Sequence, residues 1–508
     1  MMNIKDFFKY DFPASLVVFL VALPLCLGVA LASGAPLFSG ILAGMVGGIV
    51  AGSLSGSPLS VSGPAAGLTT IVFLSISRLG SFEAFLLAVV LAGLIQIAFG
   101  FAKLGSIGNF FPVSVVKGML AAIGLILILK QVPHALGYDM DFEGDESFWQ
   151  GDGRNTFSEI IEALRALTPG AILISILSLG ILFLWERPAL KKNRFLGLFP
   201  SSLVVVAIAI FLNQLFLYFL PLLAIADKHL VAVPVLSGAQ GLASFLTLPD
   251  FSLWRDPRIY TTAVTIALVA SLETLLSIEA CDKLDPYRRI TPLNRELKAQ
   301  GVANAISGLI GGLPVTSVVV RSSANINSGA RSRASAIMHG VILLLSIFLI
   351  PSVLSLIPLA SLAGLLIFVG YKLTKPELFR EMYHKGFSQF LPFVITVGGV
   401  LLTDLLQGVF WGVLVSVFFI LKTNFRQSII LVNSGTGYLL KFTKDVSFLN
   451  KSTLRNMFKK IPPNTRMLID GSDSQFIDHD IKETIGDFME SSKANNILVE
   501  LKNISLVN

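Results

Sequence analysis

Two short stretches hold the residues best suited to chemistry. One reads Gly56-Ser57-Pro58-Leu59-Ser60-Val61-Ser62-Gly63-Pro64-Ala65-Ala66-Gly67. The other reads Gly311-Gly312-Leu313-Pro314-Val315-Thr316-Ser317-Val318-Val319-Val320-Arg321. Each is an extended Gly/Pro-rich run leading into a helix of only a few turns. Pro64 and Pro314 suit the first position of a helix, where the missing N–H costs nothing. Ser62 and Thr316 are placed to cap those helices. The chemistry on offer is anion binding. A helix start presents free N–H groups and about half a positive charge, so two starts facing each other hold an anion without a dedicated cation. Arg321, one turn after Ser317 on the same face, adds a full charge; its alternative is to snorkel to the aqueous surface. Glu273 is a carboxylate in the middle of the apolar run 260–281, with Ala270 and Ser277 on its face. An acid at membrane depth is functional by default. Glu273 with Ser277 reads as a coupling-ion site, against the plainer reading of a protonated acid bonded between helices. The five histidines are scattered, and the sequence shows no metal cluster, catalytic triad or phosphate loop. It therefore calls for no enzyme activity, cofactor or metal.

These residues need a membrane to position them. Of 508 residues, 54% are hydrophobic and 14% charged, and the mean hydropathy is +0.76. A soluble domain carries about 25% charged residues, so lipid is the solvent for most of this chain. Fourteen apolar stretches recur: 12–33, 36–54, 64–78, 82–104, 112–135, 169–186, 198–222, 259–281, 295–311, 316–328, 332–350, 352–371, 389–405 and 407–422. The two short runs are the third and tenth, equivalent places in two sets of seven. Matched breaks of this kind point to an inverted-repeat transporter with its site at the midplane, because irregular backbone survives in hydrocarbon only where it lines a cavity. With the N-terminus cytoplasmic, the even-numbered connections carry Lys103, Lys191, Lys192, Arg194, Arg288, Arg289, Arg331, Arg333, Lys372, Lys375, Arg380 and Lys385. The acidic loop with Asp139, Asp141, Glu143, Asp145, Glu146 and Asp152 falls outside, as the positive-inside rule expects. Both termini are then cytoplasmic in a multi-pass cell-membrane protein. The net charge of +7 follows from those loops and calls for no nucleic acid. Cys26 and Cys281 read as packing residues, Lys117, Lys130 and Asp404 as interface anchors. The first apolar run reads as a span and not as a cleavable signal peptide.

The composition shifts near residue 425, separating a membrane region 1–424 from a tail 425–508. In the tail 20 of 84 residues are charged, against 51 of 424 before it. Runs 429–432, 438–442, 467–469 and 497–501 read as strands, and 449–460 and 480–491 as amphipathic helices. This is a small cytoplasmic α/β module.

The chain resembles the SulP family of inorganic anion permeases over essentially its whole length. The resemblance rests on Ser60-Val61-Ser62-Gly63-Pro64-Ala65-Ala66, Glu273-Thr274-Leu275-Leu276-Ser277, Gly312-Leu313-Pro314-Val315-Thr316-Ser317 with Arg321-Ser322, and Thr403-Asp404-Leu405-Leu406-Gln407-Gly408. It implies fourteen spans in a 7+7 inverted repeat, arranged as core and gate domains, a cytoplasmic STAS domain and a homodimer in the lipid bilayer. It implies an anion held against Ser62, Gly63, Pro64, Ala65 and Ala66 on one side and Thr316, Ser317, Val318 and Arg321 on the other, with Val29 of the first span lining the site. The first span and Gly312-Leu313-Pro314 look similar to the bicarbonate-carrying branch, where the position of Glu273 is a sodium-binding Asp and Ser277 matches a hydroxyl ligand. Val319 stands where that branch has a Thr, and Pro314-Val315-Thr316 is more like sulfate permeases. The expected activity is secondary transport of bicarbonate or sulfate, by proton or sodium symport or by exchange. The alternatives are a channel-like protein and a nucleobase permease of the same fold. In the tail, Arg466-Met467-Leu468-Ile469-Asp470 and Phe476-Ile477-Asp478 look like the central strand and helix start of a STAS domain, with His479 in place of a phosphorylatable Ser and a chain that stops soon after 501.

Overall fold

The computed structural model describes residues 6–140, 148, 155–187, 200–231, 246–426 and 428–505, apart from 434 and 436. Most of the acidic loop, and Lys191, Lys192 and Arg194, lie outside the described residues. The chain forms two compact units, Met1–Val413 and Leu414–Asn508.

Counting helices of eight or more residues, the first unit contains α1 (Phe12–Ala32), α2 (Leu37–Val46), β1 (Ser62–Pro64), α3 (Thr69–Leu79), α4 (Phe82–Phe101), α5 (Val113–Leu136), α6 (Thr156–Arg165), α7 (Pro169–Trp185) and α8 (Ser201–Phe219). Then follow α9 (Pro257–Leu284), α10 (Leu293–Ile310), β2 (Val315–Ser317), α11 (Val319–Asn327), α12 (Ala334–Leu349), α13 (Leu359–Leu373), α14 (Pro376–His384), α15 (Phe387–Leu402) and α16 (Leu405–Arg426), the last running into the second unit. A helix lies in each of the fourteen apolar stretches. Among the described residues six helical runs are long and apolar enough alone to cross a membrane, one of them α2 prolonged to Leu54, and the bent pair α6–α7 adds a seventh. The remaining apolar helices are shorter, and α3 and α11 are the two halves that follow the Gly/Pro runs.

Small residues set the tightest helix contacts. A methyl on Gly93 of α4 would meet the Gly301 carbonyl oxygen of α10 at 2.5 Å, and one on Gly301 would meet Gly93's at 2.6 Å. Backbones this close are how helices pack where lipid removes the hydrophobic drive between them. Gly124 of α5 and Gly370 of α13 make the same contact, 2.6 Å in each direction. Lys117 is paired at 2.7 Å with Glu381 of α14. Its ammonium, with that of Lys385, holds the Glu381 carboxyl down at about 2. Asp404 is an exposed turn residue accepting from the Gln407 N–H at 2.8 Å. Lys130 departs from expectation: it is enclosed.

The second unit carries a four-stranded sheet of β3 (Ile429–Asn433), β4 (Tyr438–Phe442), β5 (Arg466–Asp470) and β6 (Leu498–Lys502), in that order. β3 and β4 form an antiparallel hairpin; β4–β5 and β5–β6 are parallel. Parallel neighbours need crossovers, supplied by α17 (Lys451–Phe458) and α18 (His479–Ala494). Leu440, Phe442, Met467 and Ile469 from the sheet pack on Leu454, Ile481 and Ile485 from the helices. His479 opens α18, and Asp478 caps it by accepting from the Asp480 N–H at 3.2 Å.

Candidate anion site at the crossing strands

β1 and β2 pair antiparallel, Ser62 with Ser317, Gly63 with Thr316 and Pro64 with Val315. The Val318 N–H continues the ladder to the Val61 carbonyl at 3.0 Å. Hydroxyls and an amide close the flanks. The Ser60 and Ser317 hydroxyls meet at 2.6 Å, the Val61 N–H donates to Ser322 Oγ at 3.0 Å, and Asn325 donates to the Leu59 carbonyl at 2.9 Å. Each extended run thus satisfies the other's backbone, which lipid would leave bare.

This pairing changes four expectations. Ser62 and Thr316 are not caps; they sit in the ladder, four and three residues before helical geometry begins. Ser62 Oγ accepts from Gln300 at 2.6 Å. Thr316 Oγ1 is buried with no hydrogen-bond partner among the described residues. Pro64 and Pro314 do not open helices either. Pro64 ends β1 and Pro314 precedes β2, positions where a ladder tolerates a missing donor.

One face of α10 holds both strands, and sequence reasoning missed it. Glu296, Gln300, Asn304 and Ser307 are all fully buried. Glu296 accepts from the Ser55 hydroxyl and, at 3.0 Å, from Gln300, which itself donates to Ser62. Asn304 grips Val315 of β2 twice, accepting from its N–H and donating to its carbonyl at 2.9 Å. Ser307 donates to the Leu313 carbonyl at 2.7 Å. Gln96 of α4 supports Asn304 at 2.6 Å and reaches Ser271 of α9 at 3.2 Å. Polar side chains spaced by four, four and three residues in an apolar stretch are the available signal.

In front of the crossing lies a cavity of about 30 Å³, lined by Leu25, Val29, Ile123, Leu405, Pro64, Glu273, Ser277, Val318, Val319, Val320 and Arg321. That volume holds a water or two, or one compact ion. The first hydrogen bond of α11 runs from the Ser322 N–H to the Val318 carbonyl. The amides of Val319, Val320 and Arg321 precede it; a helix start leaves such donors without an intrahelical partner, and no acceptor among the described residues takes them.

Arg321 is 1% exposed, so it does not snorkel. Its guanidinium lies over Gly63: a methyl there would come within 2.0 Å of Nη1. Nη2 contacts Cys26 Sγ at 3.3 Å, while Nε and Nη1 have no hydrogen-bond partner among the described residues. A buried cation with no carboxylate in ion-pairing distance among the described residues is costly, and an anion in the cavity would offset that cost. Glu273, 7% exposed, reaches the start of the other half-helix; a methyl on Gly67 would sit 3.1 Å from its Oε1. Ser277 lies one turn further along α9. The two helix starts are therefore unlike. One faces the cavity; the other faces the chain's own carboxylate.

Of the sequence-derived residues, Val29, Pro64, Val318, Arg321, Glu273 and Ser277 line this cavity. Ser62, Gly63, Thr316 and Ser317 form the ladder behind it, with the Ser317 N–H on Thr274 Oγ1 at 3.4 Å. Ala65 is buried just beyond β1; the side chain of Ala66 lies outside the described ones. A second cavity, about 370 Å³, is lined by Lys9, Trp185, Glu186, Ser201, Ser202, Lys372 and, from the far end of α11, Ala324, Asn327 and Ser328. Lys372 and Glu186 pair across it at 2.5 Å.

Residues 8–396 match the profile of the sulfate permease family. A putative sulfate transporter of Bacillus subtilis, YvdB, is 28% identical over 512 aligned residues, 97% of this chain and 91% of that one. The solved transmembrane domain of a cyanobacterial bicarbonate transporter, BicA, superposes with a TM-score of 0.54 at 25% identity, over 80% of this chain and 96% of that one. The murine solute carrier 26 family member A9 anion transporter, in its inward-facing state, shares the fold over 99% of this chain and 87% of its own, with a TM-score of 0.66 at 16% identity. The likeness extends through the C-terminal α/β unit, whose sheet and helices are consistent with a STAS domain.

Proposed function

Because this chain belongs to the sulfate permease family, a family of membrane transporters of inorganic anions and not of enzymes, we propose that it is a secondary transporter of a single small oxyanion, bicarbonate or sulfate. It binds the ion at the crossing of β1 and β2 and couples its movement to a proton at Glu273. The fold of the proposal is fourteen spans in two inverted repeats, a core and a gate, working as a homodimer with both termini cytoplasmic. The observation that carries it is the cavity onto which the first turn of α11, Arg321 and Glu273 all open.

The anion accepts from the free amides of Val319, Val320 and Arg321 and neutralises the Arg321 guanidinium. Cavity size supports an inorganic ion over a nucleobase, and so does a cation, not a carboxylate, on α11. The larger cavity bordered by Lys9 and Lys372 is the cytoplasmic approach, its basic residues gathering anions by charge.

Coupling follows from crowding. Glu273 and the anion share one small space, and two unit charges 4 Å apart repel by about 4 kcal/mol even at an effective dielectric of about 20. The Arg321 guanidinium offsets only one of the two negative charges, so anion binding favours a neutral carboxylate. A proton neutralises it without further ligands. A sodium ion wants several oxygens, whereas the side-chain oxygens lining the cavity are those of Glu273 and Ser277, and Val318, Val319 and Val320 offer none.

The test is uptake into proteoliposomes over a panel of anions, with proton and sodium gradients imposed separately. Glu273→Gln mimics the neutral state: anion exchange persists and concentrative uptake stops. Sodium-dependent uptake lost in both Glu273→Gln and Ser277→Ala would overturn proton coupling in favour of sodium. Flux that neither saturates nor responds to trans anion would mark a channel.

A further inference from the structure

Lys130 is a charge the anion site does not use. It lies near the end of α5 remote from Lys117. It is 8% exposed, and its ammonium has no hydrogen-bond partner among the described residues. Glu159 of α6, itself 2% exposed, stands 3.9 Å away, beyond hydrogen-bonding distance. Glu159 supplies countercharge but leaves the three N–H donors of the ammonium unspent. Unspent donors in apolar surroundings are expensive. The residue faces a cavity of about 190 Å³ whose walls include Ile126, Leu129, Leu401, Leu402 and Phe157, beside Gly398. Apolar walls around one buried cation fit an anionic head on an apolar tail.

The roof of the cavity says where it sits. α6 buries Thr156, Glu159 and Ala163, and leaves Phe157, Ile161 and Leu164 each more than half exposed. It bends by 118° from α7. An amphipathic helix turned across a span, with its apolar residues outward, lies in the membrane interface. The cavity beneath it is therefore at the depth of lipid headgroups, at the opposite end of α5 from the Lys117–Glu381 pair.

We propose that this cavity is a phospholipid site. The phosphate diester accepts from Lys130, with Glu159 holding the ammonium from behind, and the first part of an acyl chain lies against Leu401 and Leu402. Phosphate chemistry alone is also met by a free phosphate ion, so the test separates the two. The full-length protein in detergent is titrated with phosphatidylglycerol and followed by native mass spectrometry and thermal unfolding. The same titration is repeated with inorganic phosphate. Lys130→Met removes the charge at similar length. Gly398→Leu fills the cavity and leaves Lys130 alone; nothing lies within 4 Å of where its side chain starts. The proposal expects one retained lipid that raises the melting temperature of the wild type, and at least tenfold weaker retention in each variant. Retention in Lys130→Met equal to wild type would overturn it. So would one-for-one displacement of the lipid by millimolar phosphate, which would make this a free-anion site.

Discussion

Arg321 and Gly63 occupy one another's space. The guanidinium packs where any side chain at 63 would start, so Gly63→Ala must push the charge away from the cavity. Arg321→Ala removes it. A charge-assisted contact is worth about 1.5–3 kcal/mol, so Arg321→Ala should weaken apparent anion affinity in uptake assays by roughly ten- to 150-fold. Gly63→Ala should approach that loss. The double variant should lose little more than Arg321→Ala alone, because the two residues act as one. Arg321→Lys should recover part of the affinity, lacking the planar fork. Unchanged affinity in Arg321→Ala would show that the buried guanidinium only packs. At this scale the sequence was legible in type but not in direction. Arg321 and Glu273 stood out as charges in apolar runs. That Arg321 folds back on Gly63, and that Glu273 meets Gly67, depends on which way a side chain leaves its helix, and spacing alone does not say.

The half-helices and α10 form the next scale. The breaks at the third and tenth stretches were visible because Gly and Pro interrupt apolar runs at matched places. Their pairing into a ladder was not, since three-residue strands carry no periodicity. It moved Ser62, Thr316, Pro64 and Pro314 out of the helix starts assigned to them. In the sequence, residues 295–311 stand out only as an apolar stretch, yet the polar row of α10 is what fixes both strands. Asn304→Leu keeps the volume while stripping Val315 of both partners. Leaving buried polar groups unpaired costs about 1–3 kcal/mol each. The variant should unfold at lower temperature and transport with reduced affinity. Asn304→Gln, which keeps the amide, should recover some of each. Wild-type affinity and melting temperature in Asn304→Leu would show that the grip on Val315 is dispensable.

For the whole molecule, the tail gave clear strand and helix signals because a soluble module alternates polar and apolar positions. All six elements read from it are present within a few residues of their expected bounds. The composition shift at 425 marks where charge begins, while the compact units divide at Val413, inside α16. A helix that starts among the membrane elements and ends at the tail belongs to both descriptions. Every site residue lies before that point, so removing residues 428–508 should leave anion affinity within about twofold of wild type in proteoliposomes, a change under about half a kcal/mol, while abundance or dimer content shifts. Abolished binding in a monodisperse truncation would place part of the site in the tail.

The ladder between β1 and β2 also has a timetable. Its strands lie about 255 residues apart in the chain. At roughly 5–20 residues per second, β1 leaves the ribosome on the order of 13–50 seconds before β2 exists. Throughout that interval the first broken run has no partner for its backbone, and the nascent protein has no place for an ion. The proposed binding site is thus an assembly product that appears only once most of the membrane region has been made. A half-built chain cannot leak ions through a pocket it does not yet possess.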